Sequence, residues 1–293
     1  MSASRETAIV ADTTSTLPPE VLSEYDVNLV SLYVGLEGEQ QRESEITDLD
    51  EFYQRLRVSE ETVTTSQPSV GDFIEVYEPL LADDREIVSV HLSAGISGTY
   101  ESAVQARERL SAEGEAGDRI QIVDSSTAAG GMGLVLLGAA RAVARGASAE
   151  EAAAAAKQTR ADLKIWFAVD TLEYLRRGGR IGTAGAWLGT TLKIKPILTF
   201  GREVEPVERV RTRSRSLERL LGYARQRHED GADAWVVQHI QDPEAAERMV
   251  AECRKIFGCE PVFVSEIGPV LGAHAGPGLV GVGSTTRAAL GLD

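Results

Sequence analysis

The sequence Thr7-Ala-Ile-Val-Ala-Asp-Thr-Thr-Ser-Thr-Leu-Pro-Pro-Glu20 contains an apolar run, a turn rich in hydroxyl side chains, and two prolines. Proline is favoured in the first turn of a helix, so the stretch predicts a strand, a loop and a helix. Similar apolar runs recur at 27–34, 86–91 and 120–123, and helical patterns separate them at 49–56, 69–81 and 97–110. Strands that alternate with helices predict a Rossmann-like parallel sheet, whose loops gather at the carboxyl ends of the strands.

The pattern changes after about residue 160. Strands are predicted at 164–169, 196–200, 203–210, 234–240 and 260–267, and helices at 171–176, 214–229 and 243–257. Several of these strands follow one another with only a turn between them, which is typical of antiparallel pairing. We therefore predict an α/β protein of two domains: an N-terminal α/β domain, 1–160, and a C-terminal mixed α/β domain, 161–293.

Composition excludes several classes of protein. The chain has 293 residues, 43% of them hydrophobic, and a formal net charge of −15, which argues against a nucleic-acid partner. Neither a leader-like segment nor an apolar run long enough to span a bilayer is recognisable, so we expect a cytoplasmic protein without stable membrane insertion. The two cysteines, Cys253 and Cys259, are too few and wrongly spaced for a disulfide framework or a zinc site, and no metal site is predicted.

Three segments carry groups that could hold a small anion. They are Thr64-Thr-Ser-Gln-Pro-Ser69, His91-Leu-Ser-Ala-Gly-Ile-Ser-Gly-Thr-Tyr100, and a turn rich in glycine and proline around His274. If Thr65 and Ser97 follow strands of one parallel sheet, their hydroxyls should meet at the same rim. Ser97 and the Gly98 N–H would then point at an anion near a helix N-terminus; Ser97 could equally be no more than the helix cap.

Two short motifs in the sequence bear on catalysis and on nucleotide binding. Gly95-Ile-Ser-Gly-Thr99 resembles a nucleophile elbow without its last glycine. Ser97 with His274 as base would make a serine esterase or thioesterase, but no segment indicates the acid that such a triad requires. Gly130-Gly-Met-Gly133 lacks the third glycine of a dinucleotide loop and the acidic residue expected after it, so no nucleotide cofactor is predicted.

Arg176, Arg177 and Arg180 surround a double glycine and form a basic cluster in an acidic protein. Arginines are common at helix C-termini, where a glycine often follows, so a solvent-exposed helix end is one interpretation. A docking site for an acidic partner, or for a phosphate-bearing reaction, is the other. The residues alone leave both interpretations open.

Ordered blocks along nearly the whole chain resemble the DegV family of bacterial fatty-acid-binding proteins. The blocks begin at Val10, Thr65, Leu92, Asp124, Leu172, Lys195, Val210 and Ile267. The resemblance implies two α/β domains that enclose one long-chain fatty acid between them. It also implies that no other cofactor is needed and that the protein has no catalysis of its own.

The resemblance further implies residue roles. Thr65, Ser97 and His274, with the Gly98 N–H beside them, would hold the carboxylate. The fatty acid would be presented to a separate ATP-dependent kinase that forms acyl phosphate, and the Arg176–Arg180 block would lie on the docking surface. This chain has Ala94 and Ala275 where the family often has hydroxyl residues, and a sensor of another lipid stays an alternative.

Overall fold

The computed structural model describes residues 5–36, 38–59, 63–112, 114, 117–188 and 194–292. Its strands are β1 Thr7–Asp12, β2 Val27–Val30, β3 Tyr33–Leu36, β4 Glu39–Arg42, β5 Thr64–Ser66, β6 Glu86–His91, β7 Ile120–Asp124, β8 Lys164–Ala168, β9 Lys195–Phe200, β10 Val204–Val210, β11 Ala234–His239, β12 Phe263–Glu266 and β13 Val280–Thr285. Its α-helices are α1 Pro19–Glu24, α2 Leu49–Val58, α3 Val70–Ala82, α4 Thr99–Ala112, α5 Ala129–Ala144, α6 Ala149–Asp162, α7 Glu173–Arg177, α8 Arg213–Glu229, α9 Pro243–Phe257 and α10 Pro269–Ala275.

A four-stranded parallel sheet in the order β2-β1-β6-β7 forms the N-terminal half. Strand β1 is buried on both faces, as its unbroken apolar run predicts. Ala8 and Val10 pack toward α3 and α4, whereas Ile9 and Ala11 belong to the core that includes α5. Helices therefore cover both faces of the sheet, and the predicted Rossmann-like arrangement is confirmed.

The apolar run at 27–34 is not one strand, contrary to our prediction. Ser31 and Leu32 divide it into β2, in the parallel sheet, and β3, in a three-stranded antiparallel sheet of order β4-β3-β5. Ser31 Oγ accepts a hydrogen bond from Ser44 N (3.1 Å), and Leu32 O accepts one from Glu43 N (2.9 Å). These long-range bonds turn the chain where hydrophobicity gives no signal.

A six-stranded mixed sheet of order β10-β9-β8-β13-β11-β12 forms the C-terminal half. Among its described pairs only β11 with β12 is parallel, so the prediction of a mixed sheet with antiparallel pairing is confirmed. The central strand β13 was not predicted, because Gly281 and Gly283 weaken the strand pattern. One face of this sheet packs against α8 and α9.

The other face of the mixed sheet faces the parallel sheet, with α5 between them. One hydrophobic cluster contains Val88 of β6, Leu136 of α5 and Val236 of β11, so both halves share a core around α5. The boundary at 160 stays a prediction, although the parallel sheet ends at β7 and the mixed sheet begins at β8. None of the described helices is long and apolar enough to cross a membrane.

Candidate functional site

A cavity of about 260 Å³ lies between the two halves of the molecule. Side chains from the mixed sheet, among them Ile165, Phe167 and Phe200, form one wall, and Leu32 and Leu92 contribute from the N-terminal half. Most of its surface is aliphatic or aromatic. An apolar enclosure with few polar groups is the usual form of a small-molecule site, and here it suits a long aliphatic ligand.

The cavity lining also contains polar side chains, among them Thr65, Ser97, Arg180 and His274. Thr65 Oγ1 lies 2.7 Å from His274 Nε2. We expected Thr65 to follow a strand of the parallel sheet. It lies instead in β5, which pairs antiparallel with β3 in the three-stranded sheet. The two predicted residues nevertheless meet, since the three-stranded sheet and α10 pack together.

His274 lies in a short helix, α10, and not in the rigid turn expected from the surrounding glycines and prolines. Pro269 occupies the first helical turn, where its missing N–H costs nothing, and Gly276 ends the helix with φ of +76°. His274 Nδ1 lies directly against Gly178, where a Cβ would overlap the ring. Glycine at 178 therefore has a packing reason beyond ending α7.

Burial, and to a lesser degree the nearby Arg180 guanidinium, lowers the pKa of the His274 imidazole to about 4. At neutral pH the ring is therefore uncharged and offers one N–H donor and one acceptor nitrogen. Nδ1 has no hydrogen-bond partner among the described residues. An uncharged His274 ring would not form an ion pair with a carboxylate.

Ser97 ends the loop that follows β6 and lies at the start of α4. Its Oγ accepts from Thr99 N (3.3 Å) and lies 2.9 Å from Thr99 Oγ1, so Ser97 is a helix cap as well as a cavity-lining residue. Gly98 packs against the amide of Gln67, where a side chain would collide. Gln67 lines the cavity and was not identified from sequence, because its segment reads as an ordinary turn before a helix.

The arginine cluster is divided between two environments. Arg176 and Arg177 are exposed on α7 and pair with Glu173 at 2.6 and 2.7 Å, and their hydrogen bonds lower the pKa of that carboxyl to about 2. Arg180 is also exposed, but it lines the cavity as well and donates to Ile96 O (3.2 Å) and Gly178 O (2.7 Å). Arg180 therefore lines the same cavity as Thr65 and Ser97, whereas Arg176 and Arg177 do not.

A serine, a histidine and an aspartate do form a connected set, but not the one considered for an esterase. Ser89 Oγ lies 2.7 Å from His91 Nε2, and His91 Nδ1 lies 3.1 Å from Asp12 Oδ2. All three side chains have zero exposure, and Phe73 packs edge-on against the imidazole. Asp12 also accepts from Leu92 N (3.0 Å), so this set holds the loop leading to Ser97 and is closed to substrates.

No hydrogen bond joins Ser97 to His274 within the described part of the chain, where Ser97 is bonded to Thr99 and His274 to Thr65. A serine nucleophile needs contact with its base. The same residues contain no cluster of three or more His, Cys, Asp or Glu side chains that could hold a metal ion. In this arrangement Ser97 Oγ is thus bonded within its own helix start and not to the His274 imidazole.

Glu43 is a buried carboxyl that sequence reasoning missed, because it stands in an acidic surface-like stretch. Its Oε2 accepts from Thr13 Oγ1 (2.5 Å), and its Oε1 accepts from Val270 N (2.9 Å). Burial raises the pKa of Glu43 to about 7 in spite of these bonds. Glu43 thereby connects the end of β1 to the first turn of α10, which carries His274.

The sequence model of the family described as "Uncharacterised protein, DegV family" matches residues 6–287. A DegV domain-containing protein of Streptomyces coelicolor is 37% identical over 97% of this chain and 100% of its own length. Protein DegV of Bacillus subtilis is 31% identical over 94% of this chain and 97% of its own length.

Solved structures agree with the sequence relatives. A DegV family protein from Thermus thermophilus, described for its fatty-acid binding, has a TM-score of 0.85 and 33% identity over 96% of this chain and 99% of that chain. DegV of Bacillus subtilis, described as a fatty acid binding protein, has a TM-score of 0.85 and 31% identity over 97% of this chain and 100% of that chain. The chain therefore belongs to the DegV family.

Proposed function

We propose that this protein binds one long-chain fatty acid in the cavity, with the carboxylate at Thr65, Ser97 and His274. The observation that supports this most directly is an apolar cavity whose lining includes all three side chains, with Thr65 Oγ1 2.7 Å from His274 Nε2. The relatives described as fatty-acid-binding proteins support the same ligand class.

The energetics of such a ligand suit the cavity. Burying each methylene contributes about 0.8 kcal/mol, so a C16 chain supplies on the order of 10 kcal/mol before the losses from ordering. A carboxylate inside an apolar cavity is costly unless it is hydrogen-bonded. Two hydroxyls and a neutral imidazole meet that need, and the Arg180 guanidinium, which lines the same cavity, adds a favourable charge.

The protein itself would be a carrier without catalysis, and a separate ATP-dependent kinase would convert the bound acid to acyl phosphate. Exposed Arg176 and Arg177 on α7 are available for docking a partner, and Arg180 stands where the charge of a new phosphoryl group would develop. The lack of contact between Ser97 and His274 favours this interpretation over an esterase.

Organic extraction of the purified protein, followed by mass spectrometry, tests the ligand. We expect about one long-chain fatty acid per chain, whereas ligand-free protein that also fails to take up added fatty acid would refute the proposal. Assays with p-nitrophenyl acyl esters test the alternative. Turnover that disappears in Ser97→Ala would establish an esterase instead.

A further inference from the structure

The cavity owes its shape to the glycines of β13. Directly opposed residues of antiparallel strands project from the same face, and Gly281 is paired with Gln238 of β11 on one side and Phe167 of β8 on the other. All three line the cavity. The absence of a side chain at Gly281 therefore opens a groove over the middle of the mixed sheet. Phe167 of β8 borders the groove on one side and Gln238 of β11 borders it on the other.

The groove crosses the strands. Phe200 of β9 lines it toward one side of the sheet and Gln238 of β11 toward the other, with β8 and β13 between them. Neighbouring strands lie about 4.8 Å apart, so three steps span roughly 14 Å. An extended chain advances about 1.2 Å per bond, and this distance therefore takes up about 12 bonds of an acyl chain.

Gln238 lies on the β11 side of the groove, opposite Phe200, and belongs to a hydrogen-bonded cluster. Its Oε1 accepts from Gly130 N at the start of α5, and its Nε2 donates to Thr16 Oγ1 and to Ser265 Oγ, the latter at 2.9 Å. The Gln238 cluster (Gln238, Thr16, Gly130 and Ser265) joins β11 to both the parallel-sheet half and β12. Gln238 is 3% exposed, whereas Thr16 and Ser265 are half-buried.

We propose that the Gln238 cluster is the end wall of the acyl-chain tunnel and sets the longest fatty acid that the protein accepts. The inference rests on the proposed function and concerns the methyl end of the ligand. Aliphatic walls can repack around an added methylene, but displacing Gln238 would leave the buried Gly130 N–H without its hydrogen bond and would break the bonds to half-buried Thr16 and Ser265. A polar, fully satisfied wall therefore makes a sharp length limit.

The test is a series of binding measurements on delipidated protein with saturated fatty acids from laurate to behenate. Affinity should rise about fourfold per methylene until the chain meets the wall and then fall sharply. Gln238→Ala should move this break to longer chains, with a gain on the order of tenfold for the first acids that the wild type rejects, since about two more methylenes fit. Val237→Ala, on the same strand but facing α9, should leave the break unchanged.

Gly281→Ala gives a second, opposite arm. A Cβ at Gly281 would lie 3.1 Å from Phe167 Cβ and on the floor of the groove, so the break should move to shorter chains. Gly283→Ala is its matched control, because Gly283 is on the same strand and face but outside the cavity lining.

The outcomes separate the two claims. A wild type that binds none of the acids removes the proposed function and this inference together. A wild type with a clear break that stays in place in folded Gln238→Ala overturns the inference alone. If Gln238→Ala does not fold, the comparison of Gly281→Ala with Gly283→Ala is the test. Affinity that falls at the same chain length in both variants would overturn the inference.

Discussion

Glu43 and His274 hold the two ends of α10 and should titrate with opposite effects on stability. The pKa of His274 falls from 6.5 to about 4 in the folded protein, and that of Glu43 rises from 4.5 to about 7. One pKa unit corresponds to about 1.4 kcal/mol, so each displacement is worth about 3 kcal/mol. We expect the replacements Glu43→Gln and His274→Gln to separate the two effects.

The direction for each group follows from where its proton is bound. Below pH 6.5 the unfolded chain protonates His274 while the folded chain does not, so the free energy of unfolding falls by about 3 kcal/mol as pH drops toward 4. Between pH 4.5 and 7 the folded chain keeps the Glu43 proton while the unfolded chain releases it, so the free energy of unfolding falls by a similar amount, about 3 kcal/mol, as pH rises. In the shared window the two slopes nearly cancel.

Urea denaturation of delipidated protein across this window is the assay. Relative to wild type, Glu43→Gln should lose stability on acidification, because only the His274 slope remains. His274→Gln should gain stability on acidification, at up to about 1.4 kcal/mol per pH unit. All other titrating groups are common to the three proteins and drop out of the differences. Profiles of both variants that run parallel to wild type would refute the reasoning.

Three further predictions concern the ligand and its partner. Thr65→Val and Ser97→Ala should each weaken fatty-acid binding about 5- to 150-fold, the range for a charged group left short of one hydrogen bond, in fluorescence displacement assays; unchanged affinity in both would remove them from the head-group site. Arg180→Ala should also weaken fatty-acid binding, because Arg180 lines the cavity. An unchanged fatty-acid affinity would contradict this role and favour Arg180 as part of the docking surface. Reversing Arg176 and Arg177 to Glu should leave the affinity intact but slow acyl-phosphate formation with the kinase, less so at high salt; loss of bound lipid would contradict this.

Local sequence was sufficient for most of the framework. Apolar runs bounded by turn residues predicted β1, β6, β7 and β8, and prolines or hydroxyl residues marked the starts of several helices. These signals act over a few residues, because burial period and helix capping are local properties of the chain. The alternation of strands and helices was therefore enough for the parallel sheet and the change to a mixed sheet.

Local sequence patterns failed where strands contain glycine and where polar residues are buried. Strand β13 is central to its sheet although two glycines weaken its pattern, and the run at 27–34 is shared between two sheets. In both cases pairing with distant strands outweighs local propensity. Polar residues such as Glu43 and Gln238 carry no pattern that separates a buried position from an exposed one.

The site itself depends on contacts across the chain. The motif resemblance predicted Thr65, Ser97 and His274, but the meeting of Thr65 with His274 joins residues 209 positions apart. Gln238 and Thr16 are separated by 222 positions, and of the three exposed arginines on one segment Arg180 lines the cavity whereas Arg176 and Arg177 do not. Sequence identified the types of group that could hold a carboxylate. Only the packing of the two halves around α5 decided which of them share one cavity, because side-chain proximity is a property of tertiary contacts rather than of spacing along the chain.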